Sequence, residues 1–341
     1  QDRRVMAWDE KREFQEEIRN LREDNCQLRA QIFQQVWSES DVVVATHTVC
    51  GDPILKGRTF DWVIMDEATQ AIEPSSWIPL LRAGRVVLAG DHCQLPPTVF
   101  SRKTGPESLR LTLFERFHRI LGDESKIRLE LQYRMNEKIM NFSSQKFYDG
   151  RLTACVAVRD HLLKDLPHVQ AEDLSESPIV FLDTAGLGYE EKIEVGTKSR
   201  YNEEEAKLVV KLFEKLVQLG VRPEGIALIS PYSAQVKLLT NLILGEDLDS
   251  SWERIPDIDS IDAFQGQERE AVIVSLVRSN LKGELGFLND TRRMNVAMTR
   301  AKRKLIIIGD SATISTLPFY ADFLRYVETV QGYRSAWEYL T

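Results

Sequence analysis

The stretches "AVIVSLV" (271–277) and "KLIIIGD" (304–310) are continuous apolar runs, and neither alternates with polar residues. A strand with one wet face alternates; a strand buried on both faces does not. Both therefore read as interior strands of a parallel sheet covered by helices on either side. Working outward, "IRLEL" (127–131), "PIVFLDT" (178–184), "GIALISP" (225–231) and "IDSIDAF" (258–264) have the same texture. Between them lies a helix over 202–219, with Asn202 as its cap and Glu205 three residues on, a capping-box arrangement. The segment 185–200 is polar and Gly-bearing and reads as a mobile loop. The tail from about 313 reads as helical and ends in "SAWEYL".

A second group of short runs lies upstream: "VVVAT" (42–46), "WVIMDE" (62–67) and "RVVLAGD" (85–91), with helical pattern at "SSWIPLLRA" (75–83). Strand, crossover, strand predicts an α/β fold with a parallel sheet in each of two domains, broken near 115–126. Residues 9–36 read as one long helix, whose Phe14, Ile18, Leu21, Leu28 and Ile32 recur at three, four or seven residues. That narrow seam wants a partner helix that the chain does not supply. The expected division is 1–40 helical, 41–120 the later part of a first α/β domain, and 121–341 the second.

Composition excludes several classes. The longest apolar runs fall short of the ~18–20 residues of a membrane helix. The four cysteines lie far apart without C-x-x-C spacing, which predicts reduced thiols rather than a disulfide framework or a zinc site. The chain opens on charged residues without the apolar core of a signal peptide. Net charge is −8, so any nucleic-acid site has to be a local groove.

The chemistry collects at strand ends. Asp66 and Glu67 end one run, and "GDHCQLPP" (90–97) ends the next with Asp91 and Gln94. Parallel strands joined by a crossover present the same edge. Adjacent acids on a strand point to opposite faces, which divides the work: one acid to hold Mg²⁺ and its neighbour to orient an attacking water. Gln94 carries an amide that both donates and accepts. Arg134 ends "LELQYRM" (129–135), and Arg300 sits on a short helix before a strand. Both offer rigid cationic forks to a phosphoryl group. In "IDAFQGQERE" (261–270), Gly266 allows close backbone approach beside Gln265, and Glu268 can accept from a ribose hydroxyl.

Order and spacing of these motifs resemble the superfamily 1 helicases of the nonsense-mediated-decay type, nearest to the immunoglobulin mu-binding protein branch. "DEATQ", "GDHCQLPP", "LQYRM", "SIDAFQGQERE" and "RRMNVAMTRAKRKLIIIGD" are similar to that family's motifs II to VI. The resemblance implies two RecA-like domains of the P-loop NTPase type, with helix 9–36 part of a helical insertion. It implies ATP hydrolysis with Mg²⁺ on Asp66, Glu67 as the base, Gln94 as phosphate sensor, Arg134 and Arg300 as arginine fingers, and Asp91, Gln265, Gly266 and Glu268 around the nucleotide. It also implies single-stranded DNA or RNA as partner, contacted by Thr46, Ser230, Tyr232 and Arg278, with 5′-to-3′ translocation in the nucleus or cytoplasm. One family element is missing: there is no Gly-Lys pair, hence no G-x-x-x-x-G-K-[ST] phosphate loop. The chain is thus expected to be the later part of a helicase core with an incomplete first sheet, and to hydrolyse little or no ATP alone. A degenerate helicase module that only binds nucleic acid or protein is the competing expectation, and an α/β enzyme of other chemistry a third.

Overall fold

The computed structural model describes residues 8–99, 109–245 and 255–339. The chain packs into two compact units, residues 1–63 with 74–86, and residues 64–73 with 87–341.

In the first unit the helix Trp8–Ser38 leaves Phe14, Leu21, Leu28 and Ile32 exposed, the unpartnered seam the sequence predicts. Its C-terminal turns are anchored by Arg58, whose guanidinium lies 4.1 Å from the centre of the Trp37 ring. Trp37 in turn packs against Phe60. Arg82 donates to the carbonyls of Cys50 and Leu55 and fixes the loop between them. The run 42–46 is no strand. It pairs with no strand among the described residues, with Val42 and Val44 open to solvent, and it leads through extended Thr46 into the helix His47–Cys50. β-branched residues favour a strand only where a neighbour offers a ladder, and here none does. Strands β1 (Val63–Met65) and β2 (Val86–Leu88) pair, and each continues from the first unit into the second.

The second unit is built on a six-stranded sheet. Its first strands in the chain, β3 (Leu131–Gln132) and β4 (Thr153–Ala154), form a separate short pair. The predicted strand 127–131 therefore shrinks to its last residue, and Ile127 and Leu129 are exposed. Next come β5 (Ile179–Asp183), β6 (Lys192–Ile193), β7 (Arg200–Tyr201), β8 (Ile226–Ser230), β9 (Asp257–Ser260), β10 (Arg269–Ser275), β11 (Ala301–Gly309) and β12 (Tyr333–Ser335). The order β12-β5-β11-β10-β8-β9 is parallel throughout. The segment 185–200 is an antiparallel hairpin, β6 with β7, rather than a featureless loop. The tail is helical over Pro318–Thr329, then adds β12 as an edge strand.

Interior strands are apolar on both faces, as their unbroken runs predict. Phe181, Ile229, Val274 and Ile307 face one core layer, closed by helices Glu137–Phe147, Thr291–Met298 and Pro318–Thr329. Val180, Leu228, Ile273 and Ile308 face the other, closed by helices Glu203–Gln218 and Ser233–Leu244. Asn202 caps the first of these by accepting from the Glu205 N–H at 3.0 Å. Glu205 does not complete the capping box. Its buried carboxylate accepts from Ser275 Oγ and the Val277 N–H instead. Val277 has φ of 69°, a left-handed conformation rare for a β-branched residue, at the exit of β10.

Candidate active site

Every catalytic and nucleotide-side residue expected from sequence lies in the second unit. β1 ends at buried Met65, and Glu67 then takes a left-handed conformation, φ 50° and ψ 37°. The Ala68 N–H donates to the Ala89 carbonyl at 2.8 Å, which ties this turn to the end of β2. Both acids surface because the strand has already ended, so the turn, not the pleat, separates their roles. Asp66 Oδ1 accepts from the Glu67 N–H at 3.0 Å. Gln70 Nε2 donates to Glu67 Oε2 at 2.8 Å.

Gly90 lies so close to Thr69 that a Cβ there would stand 3.0 Å from its methyl and 3.1 Å from its backbone nitrogen, so a side chain would crowd the loop after β2 against this turn. Asp91 departs from its expected role. Its Oδ1 accepts from the Cys93 N–H, and its Oδ2 accepts from Gln94 Nε2 at 2.8 Å and from the Tyr148 hydroxyl at 2.6 Å. The carboxylate organises its own loop and has little capacity left for a nucleotide.

Arg134 follows β3. It pairs through Nε with Glu268 and donates through Nη1 to the Thr299 carbonyl at 3.1 Å. Glu268 also pairs with Lys302 at 3.0 Å. Burial pushes its carboxyl up, but Lys302 and Arg134 outweigh that and hold it below the usual range. It is a paired acid rather than an open ribose acceptor. Arg300 is 3% exposed and donates to the carbonyls of Val296 and Gln267 and to Thr299 Oγ1. Burial, then the nearby Arg134 charge, pull it down to about 10, while Tyr148, Glu67 and Glu268 act in the opposite sense. It remains a cation at neutral pH, in the electrostatic reach of Glu67. Gln265 Nε2 is buried without a hydrogen-bond partner among the described residues, and Gly266 supplies a left-handed φ of 86° to the same turn.

Glu268 and Arg300 immediately precede β10 and β11. They lie at the amino edge of the six-stranded sheet, against the expectation that all motifs meet at carboxyl ends. The carboxyl edge holds a different group. Ser230 ends β8 and is fully buried; Tyr232 is 3% exposed and Arg278 2%. Arg278 pairs with Glu191 at 2.7 Å and donates to the Tyr232 hydroxyl. These side chains face inward, and Glu191, just before the hairpin β6–β7, occupies the Arg278 Nε. A cavity of about 770 Å³ adjoins them, and Lys198 and Arg200 from that hairpin line it. The sequence signal for those cations was the mixed-charge run 190–200, which loop composition masked. Thr46 belongs to the first unit, where its hydroxyl caps the helix His47–Cys50.

Asp66 is a group that could hold a Mg²⁺ ion. Asp66 is exposed and offers a hard oxygen, and Mg²⁺ binds through one or two carboxylates while keeping waters. Asp91, His92 and Cys93 bring donor atoms together, but burial, then the Asp91 charge, push the Cys93 thiol up to about 11. A protonated thiol beside an occupied carboxylate does not suit that ion.

Two family models, each described as an AAA domain, match residues 2–102 and 109–312. The chain is 41% identical over 335 residues to DNA-binding protein SMUBP-2 of Mesocricetus auratus, covering 97% of this chain and 33% of that one. It is 40% identical to DNA polymerase alpha-associated DNA helicase A of Schizosaccharomyces pombe, covering 94% of this chain and 48% of that one. An ATP-dependent helicase of Methanocaldococcus jannaschii is 39% identical, with 92% and 45% covered. The chain thus spans a third to about half the length of these relatives. With motif order, parallel sheet and sequence in agreement, the chain belongs to the AAA-domain family, within the superfamily 1 helicases.

Proposed function

We propose that this chain supplies the hydrolytic half of an ATP-driven helicase that translocates 5′-to-3′ on single-stranded DNA or RNA, in the nucleus or cytoplasm. The observation that supports this most is the buried Arg300 cation in the electrostatic reach of both Arg134 and Glu67, within the unit that also holds Gln94. A water attacks the terminal phosphorus, Glu67 takes its proton, and the bond to the bridging oxygen breaks to release ADP and phosphate. Arg300, already stripped of water and fixed by two backbone carbonyls, meets the charge that develops on the phosphoryl oxygens without reorganising. Arg134 adds a second cation, held in place by Glu268. Mg²⁺ on Asp66 would neutralise phosphate charge. The names of the relatives, which speak of DNA binding, helicases and ATP dependence, support the reading. Residues 1–40 belong in this reading to a helical insertion, 41–120 to the first RecA-like domain and 121–341 to the second.

The test is strand-stimulated ATP hydrolysis by the full-length protein. Glu67→Gln should lower kcat by ~100-fold or more with nucleotide binding kept. Arg300→Ala should abolish turnover and spare most nucleotide binding. Full turnover in Glu67→Gln would remove Glu67 as the base. Strand binding without any hydrolysis by the wild type would establish the binding-module reading instead.

A further inference from the structure

Tyr148 and Asn295 belong to no part of the site assigned above, yet they end in it. Tyr148 closes the helix Glu137–Phe147, and Asp149 and Gly150 beyond it are both left-handed, which turns the chain away and leaves the ring behind. Its hydroxyl donates to Asp91 Oδ2 at 2.6 Å and accepts from Asn295 Nδ2 at 2.9 Å. Asn295 is fully buried on the helix Thr291–Met298, and its second amide hydrogen goes to the Cys93 carbonyl at 3.0 Å.

The direction of every bond is forced. The Cys93 carbonyl only accepts, so Asn295 must present its NH₂. Both amide hydrogens are then spent, and Asn295 Oδ1 is left buried with no hydrogen-bond partner among the described residues. The Tyr148 oxygen receives one of those hydrogens, so its own hydrogen must point at Asp91. Burial, then the Asp91 charge, hold this phenol far above its ordinary range, so it stays a donor at any physiological pH. The Asp91 carboxylate only accepts, so Gln94 must turn its Nε2 inward, at 2.8 Å. Its Oε1 then projects on the other side of the amide.

We infer that Tyr148 and Asn295 are positioning residues for Gln94. The relay Asn295 to Tyr148 to Asp91 sets which end of the Gln94 amide meets the reaction, and joins it to the helix that runs directly into Arg300. An acceptor at Oε1 orients a water; an NH₂ there would not. Because Asn295 sits on the helix that delivers Arg300, sensor and cation are presented together. This rests on the proposed function only in taking Gln94 as a group that faces water or phosphate.

The experiment uses the full-length protein and Tyr148→Phe, which keeps the ring and removes the link. Two readouts separate the relay from the function. With ¹⁵N-glutamine labelling, the Gln94 side-chain amide should shift and exchange its hydrogens with solvent ~10-fold faster. In strand-stimulated ATP hydrolysis, kcat should fall ~10-fold while the KM for ATP stays within about twofold. In a Gln94→Ala background the same change should have no further effect. An unaltered Gln94 amide, or a loss that multiplies that of Gln94→Ala, would overturn the assignment. If the wild type hydrolyses no ATP, the proposed function falls while the amide readout still decides the relay. Should Tyr148→Phe fail to fold, Asn295→Ala breaks the same relay one bond away and is read the same way.

Discussion

Lys304 shows how far a single residue can depart from its usual chemistry. It lies fully buried in β11, and its Nζ donates to the Ser177 carbonyl at 2.6 Å. Burial pulls its ammonium down to about 7, against a partial offset from Asp173. Unfolded, the group holds its proton to about 10.5, so between about 7 and 10.5 the unfolded chain binds more protons. Stability tied to Lys304 is therefore present at alkaline pH and is lost as pH falls through about 7. Lys304→Met should flatten the rise in urea midpoint between pH 7 and 10, and a slope identical to wild type would show that the amine is not desolvated. At the same scale, Asp66, Glu67, Gln94, Arg134 and Arg300 stood out as candidate site residues from residue type and spacing. Asp91, Glu268 and Arg278 were legible as important but not in role, because a charged side chain's partner comes from remote chain. Tyr148 and Asn295 carried no signal, since a tyrosine after a helix and an asparagine inside one are ordinary.

Among the elements, the interior strands were the clearest, because burial on both faces leaves an unbroken apolar run. The edge strand β12 was hidden by its polar sequence, "YRS", and is held by β5. Gly332 makes that docking possible. A Cβ at this position would stand 2.3 Å from the Ile179 carbonyl oxygen, and that obstacle is backbone of a core strand. Gly332→Ala should cost roughly 1–3 kcal/mol, read as a lower urea midpoint with unchanged m-value. Wild-type stability in that variant would mean that β12 is not seated as described. The runs 42–46 and 127–131 failed as strands for the opposite reason. Their residues suit a strand, but no neighbour pairs with them over most of their length. Glu205 failed as a capping-box partner because β10 ends directly above it, and unpaired backbone N–H groups there compete for its carboxylate.

Taken as a molecule, the second unit is a parallel sheet with both faces covered, and its edges are its weak points. Removing residues 331–341 should expose β5, lower the melting temperature and promote concentration-dependent association in sedimentation. A monomer of unchanged melting temperature would show that β12 protects nothing.

Composition, period and motif order determined by themselves that this is a parallel α/β protein of the helicase type, since apolar continuity and motif spacing are properties of the chain alone. Tertiary structure decided the rest. It set Glu268 and Arg300 at the amino edge of the large sheet and Ser230, Tyr232 and Arg278 at the other. It turned Asp91 inward and buried Arg278 under Glu191. Each of these depends on which remote segment reaches a given side chain first, and local sequence does not record that.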